Sequence, residues 1–132
     1  MTIKEFMMKY SLYGSVITAW NWAKSHRLVL ELDLSNLNQN DYTEDQDDFR
    51  PIILIFENCT IVDELNEGFD GFSNGDARII EASTIRKSAS STAKQGIKLV
   101  MMHDNYDVTG EKLVSVIVFA KELSMIVPDA KY

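Results

Sequence analysis

The adjacent pair His103-Asp104, in the stretch LVMMHDNYDVTGEKLVSVIVF, offers an imidazole and a carboxylate, two groups that ligate metals and move protons. Ile97, Leu99 and Met101 alternate with Lys98, Val100 and Met102, which is the pattern of a strand. Neighbouring strand residues leave opposite faces, so His103 and Asp104 cannot grip one ion together. The chain has only one other histidine, His26, beside a predicted hairpin turn at 24–26. The pair therefore reads as the polar end of a strand, and no metal ligands are assigned.

The stretch DGFSNGDARIIE places Asp70, Asn74, Gly75 and Glu81 at positions one, five, six and twelve of a calcium-loop pattern. Position three is Phe72, which has no side-chain oxygen, and IIEASTI has the β-branched character of a strand where such a loop needs an exit helix. A Gly-rich hairpin loop accounts for these residues as well. The single cysteine, Cys59, becomes a nucleophile only with a base such as His26 or His103 within reach, and its place in an apolar strand predicts burial. STAK, Ser91 to Lys94, matches the Ser-x-x-Lys of penicillin-recognising enzymes without their other motifs. There is no phosphate-binding Gly-rich loop, Cys-x-x-Cys or His-Glu-x-x-His. Carboxylates are plentiful, but an acid/base pair needs one of them in a dry pocket. No catalytic residue and no cofactor are assigned.

The elements that would position these groups are mostly strands. Thr2 and Glu5 form a capping-box pattern ahead of Ile3, Phe6, Met7 and Tyr10, predicting a short helix that stops near Gly14. SVITAWNW puts Val16, Thr18, Trp20 and Trp22 on one parity, with the tryptophans expected in the core. RLVLELDLSNL alternates, with Leu28, Leu30, Leu32 and Leu34 inward and Glu31, Asp33 and Ser35 outward. NQNDYTEDQDD reads as an exposed loop. IILIFENCTIV reads as one central strand, with Cys59 on the parity of Ile53 and Ile55. ARIIEASTI, IKLVMMH and KLVSVIVFAKELSMIV supply the remaining strands. The expected fold is mainly β, an antiparallel sheet forming a sandwich or partial barrel with one short N-terminal helix, in a single domain over residues 1–132.

Composition narrows the function classes. One cysteine excludes a disulfide-stapled scaffold, and no signal-peptide core or membrane-length apolar run is seen, so a cytoplasmic location is expected. The net charge of -7 conceals a polarised chain: Glu31 to Glu81 carries 14 acids against two bases, Arg50 and Arg78, and the remainder carries six acids against 11 bases. Nucleic-acid binding relies on Lys and Arg displacing counterions, so an acidic middle third disfavours that partner and suits a basic protein.

SLYGSVITAWNWAKSHRLVLELDLSNL followed by FRPIILIFENC resembles a pattern in small bacterial proteins, some of them immunity proteins of polymorphic toxin systems. In that pattern a polar turn, often His-Asp-Ser, leads into a strand, an alternating Leu-rich strand and a third apolar one. At the turn this chain has Tyr13-Gly14-Ser15, so only Ser15 matches and no role of the missing pair carries over. The resemblance implies a cytoplasmic β-rich binder without catalysis. Together with the charge, it predicts docking to a basic partner, such as a toxin, through Asp41, Glu44, Asp45, Asp47, Asp48, Asp63, Glu64 and Glu67. The competing readings are a small-ligand or calcium-binding domain and an enzyme with a carboxylate site.

Overall fold

The computed structural model describes residues 1–23, 26–45, 47–65, 77–85, 95–104 and 111–128. A short helix, α1 (Ile3–Lys9), precedes eight strands: β1 (Val16–Ala23), β2 (Arg27–Ser35), β3 (Phe49–Glu57), β4 (Thr60–Asp63), β5 (Ala77–Ile85), β6 (Gln95–Asp104), β7 (Glu111–Ala120) and β8 (Glu122–Ile126). One antiparallel sheet contains all of them, in the order β4-β7-β6-β5-β1-β2-β3-β8. The fold is thus mainly β with one N-terminal helix, as the alternation of apolar residues predicts.

The two strands at the ends of that order are continuations of strands within it. β3 runs into β4 through Asn58 and Cys59, and β7 runs into β8 through Lys121. β3 pairs with β8 from Ile53↔Ile126 to Glu57↔Glu122, and β4 pairs with β7 from Thr60↔Phe119 to Asp63↔Val116. Both long strands therefore bend together, and the sheet curls into a partial barrel with two halves, β1-β2-β3-β8 and β4-β7-β6-β5. On the other side the halves meet where Val16 and Ile17 pair with Arg78 and Ala77, extended by hydrogen bonds from the Gly14 amide to the Ile79 carbonyl and from the Ile79 amide to the Ser15 carbonyl.

The interior takes Leu28, Leu30, Leu32 and Leu34 from β2, Ile52, Leu54 and Phe56 from β3, and Ile97, Leu99 and Met101 from β6, all buried. Burying each such side chain is worth about 1.5–3 kcal/mol relative to leaving it in water. The helix closes one end, inserting Ile3 and Phe6 into the same core. Thr2 and Glu5 form the predicted capping box, and the Thr2 backbone amide, then its hydroxyl, hold the Glu5 carboxyl below its ordinary range. Ahead of the helix, the Met1 carbonyl and ammonium pair with the amide and carbonyl of Leu123, covering part of the β8 edge.

Five local expectations are corrected. The helix ends at Lys9, because Tyr10 is already extended, and Gly14 serves a later turn at φ 78°. The common parity of Val16, Thr18, Trp20 and Trp22 fails because the β1–β2 register shifts between Ile17 and Ala19, so Ile17 and Trp20 both face inward. Trp20 is 8% exposed, but Trp22 is 43% exposed and meets the His26 ring edge-on. The single strand predicted from Ile52 to Val62 breaks at Asn58, which takes a positive φ of 48°. That break turns Cys59 inward to full burial while Ile53 and Ile55 face outward, half-buried.

Gly96 on β6 shows how tightly the second half is fitted. A Cβ there would lie 2.7 Å from Cε1 of Phe119, across the strand pair Gly96↔Phe119. The ring covers the glycine, and Gly96→Val is expected to displace it at a cost of about 1–3 kcal/mol in urea unfolding. A Gly96→Val variant as stable as the wild type would show that the ring does not need this space.

Candidate protein-binding face

The β2–β3 connection is held by a buried polar clamp. After the inward Leu34, Ser35 begins the run Ser-Asn-Leu-Asn-Gln, whose short polar side chains favour local bonds to the backbone. Gln39 donates from Nε2 to the carbonyls of Ser11 and Ser35, both at 2.7 Å, and accepts from the Ser11 amide at 2.9 Å. Asn38 donates to the Tyr13 carbonyl and to the Ser35 hydroxyl. Ser15 Oγ accepts from the Ser35 amide at 2.9 Å. Asn36 bonds the far side of the loop, through its amide to the Asp48 carbonyl and through its side chain to the Asp47 carbonyl. Ser15, Ser35, Asn36 and Gln39 are all buried. The start of the stretch expected to be wholly exposed is therefore a structural anchor that ties residues 11–15 to both ends of the loop.

The clamp presents the acids. Asp41, Glu44, Asp45, Asp47 and Asp48 are all exposed on this one loop. The Thr43 hydroxyl, then the residue's own backbone amide, hold the Asp45 carboxyl below its ordinary range. Asp63 ends β4, at the far end of the long β3–β4 strand from this loop, and its side chain lies outside the described residues. Glu64, next to it, accepts from the Ser115 hydroxyl at 2.7 Å and pairs with Lys98 at 3.4 Å. Glu67 lies outside the described residues. The loop thus gathers five of the eight predicted contacts, while Glu64 is engaged elsewhere on the molecule.

Sequence reasoning missed the sheet face that adjoins the loop. On the outer face of β1-β2-β3-β8, the register aligns Ala19, Glu31, Ile53 and Ile126 in one row and Asn21, Val29, Ile55 and Ser124 in the next. Asp33 and Pro51 form a third row that leads to Phe49, 45% exposed at the loop. Ile126 and Val127 are also exposed. A strip of aliphatic side chains is therefore set among Glu31, Asp33, Glu57 and Glu122. These four strands carry two described bases: Arg27 is paired with Glu57 at 3.0 Å, and Arg50 lies on the inward parity of Ile52 and Leu54. The other half is balanced, with Arg78 and Lys98 set against Glu81 and Glu64 on its described outer positions. The signal was present in the sequence as outward Glu31 and Asp33, but the aliphatic neighbours come from β3 and β8.

No cluster of metal-ligating side chains occurs among the described residues. His103 follows the inward parity of Met101 and pairs across the strands with Ala77, and the Asp104 side chain lies outside the described residues. Asp70, Asn74 and Gly75 of the calcium-loop pattern also lie outside them, while Glu81 is exposed in the middle of β5, where the pattern needs a helix. Among the described residues no helix is long and apolar enough to cross a membrane. Comparison with family models, characterised proteins and solved structures finds no match to the chain.

Proposed function

We propose that this chain is a non-enzymatic protein-binding module that receives a basic protein partner on the outer face of β1-β2-β3-β8 and the acidic loop beside it. One observation carries the reading: five exposed acids on one clamped loop continue onto a sheet face whose only outward described base is already paired. Interfaces commonly join an apolar centre to a charged rim, and the strip around Ile53, Ile55 and Ile126 supplies the former. Like-signed charge over such an area steers an oppositely charged partner and rejects polyanions. The resemblance to bacterial immunity proteins favours a toxin with a basic, nucleic-acid-binding cleft, which the acids would occupy in place of phosphates.

The test is affinity capture on the immobilised chain at about 0.01 M and about 1 M salt, between which the screening length falls from about 30 Å to about 3 Å. A parallel arm uses the variant with Asp41, Asp45, Asp47 and Asp48 changed to Asn and Glu44 to Gln. The expected result is a basic protein retained at low salt, and lost both at high salt and by the neutralised variant. Retention that is indifferent to both changes overturns the reading.

A further inference from the structure

We propose that Arg50 forms a binding site for a small carboxylate at the helix-capped end of the barrel. Arg50 stands second on β3, opposite Leu34, and shares the inward parity of Ile52, Leu54 and Phe56. Its guanidinium carbon lies 6.0 Å from the centroid of the Tyr10 ring, just past the end of α1, and that ring in turn packs against Phe6 at 5.2 Å. Two of its nitrogens, Nε and Nη2, are buried and find no acceptor among the described residues. Those two N–H groups lie on the same edge of the guanidinium. They form the side-on fork that matches the two oxygens of a carboxylate.

Among the described residues, the other buried polar side chains in this end of the molecule are paired through the clamp, which sets the Arg50 fork apart. Two buried N–H groups of a cation left without an acceptor are unfavourable, and a bound anion relieves them. The loop leading into Arg50 carries five exposed acids, a field that penalises a second negative charge on the ligand. The site therefore selects a monoanionic carboxylate over doubly charged phosphate. Both N–H groups are closed to solvent beside the partly exposed Tyr10 ring, so a carboxylate has to displace part of this cover to reach them. This site does not depend on the partner-binding face, and the two ideas fail independently.

Thermal unfolding of the whole chain tests it, with acetate, phosphate or chloride at equal ionic strength. A ligand that binds only the folded state raises Tm, here by about 4–6 °C at tenfold the dissociation constant. Acetate is expected to give that rise in the wild type, with phosphate and chloride far behind. Arg50→Lys keeps the charge but lacks the planar fork, and is expected to lose the acetate effect. Arg50→Met removes the buried charge and is expected to melt at or above the wild type in chloride, with no response to acetate. An NMR titration supplies a readout specific to this residue: the Arg50 Nε–H resonance should move downfield with acetate. An acetate effect that persists in either variant, an Nε–H signal that stays put, or an Arg50→Met protein that melts below the wild type in chloride each overturns the site. The last of these would show that the guanidinium is already compensated within the chain.

Discussion

Phe6→Ala is expected to lower the stability of the fold by about 3–5 kcal/mol, the usual loss for emptying a buried aromatic site. The helix that carries Phe6 is only seven residues long. A helix of that length does not persist on propensity alone, and its capping box fixes where it starts without holding it to the barrel. Attachment falls to Ile3 and Phe6, the two helical side chains buried in the core. Truncating Phe6 leaves a cavity at the end of the barrel and removes the ring against which Tyr10 packs. Urea unfolding measures the loss, and hydrogen exchange locates it: amides of α1 should exchange well before those of β2 and β6. Phe6→Leu, which refills most of the volume, should recover more than half of the loss. A drop below about 1 kcal/mol for Phe6→Ala would mean that the helix does not seal the core.

Gln39→Leu is the second large effect, about 2–4 kcal/mol, and it comes from hydrogen bonds instead of volume. The substitution strips the partners from the Ser11 amide and from the carbonyls of Ser11 and Ser35. A buried backbone group left without a partner costs about 1–3 kcal/mol, more than the bond contributed when made. Gln39→Glu should be worse at neutral pH, since a carboxylate would face two carbonyl oxygens that need donors. The consequence for function is separable from the loss of stability. With the clamp opened, the five loop acids keep their charge but lose their fixed spacing, so measured at a temperature where the variant is folded, partner affinity should fall while its salt dependence remains. Full affinity in a folded Gln39→Leu protein would show that the partner reads the charge of the loop and not its shape.

Much of the architecture could be read locally. The strict alternation of Leu28, Leu30, Leu32 and Leu34 marked β2, whose start at Arg27 it gave and whose end at Ser35 falls two residues short of the stretch read, and ARIIEASTI marked β5 from Ala77 to Ile85. The capping box located the start of the helix because the bonds that make it lie within three residues. Parity failed wherever one residue broke the count. The shift between Ile17 and Ala19 sent Ile17 and Trp20 to the same face, and the positive φ at Asn58 turned Cys59 inward. Neither break carries the glycine or proline that usually announces one, so both were visible only once the strands had paired. Polar composition likewise marked 38–48 as a loop but could not show that Gln39 bonds a carbonyl 28 positions earlier.

Taken alone, the order of residues determined the strand character of the chain, its capped first turn and the concentration of acids between Glu31 and Glu81, because each depends on neighbours a few positions apart. Which acids stand together was a matter for the tertiary structure. It set Ile53 and Ile126 side by side through the pairing of β3 with β8, on the strand that the acidic loop leads into, and it drew Glu64 away to Ser115 and Lys98. The physical reason is that side-chain direction repeats every two residues along a strand, whereas the neighbour across the sheet is chosen by how long strands bend and which ends they share. A face of mixed charge and aliphatic surface exists only after that choice has been made.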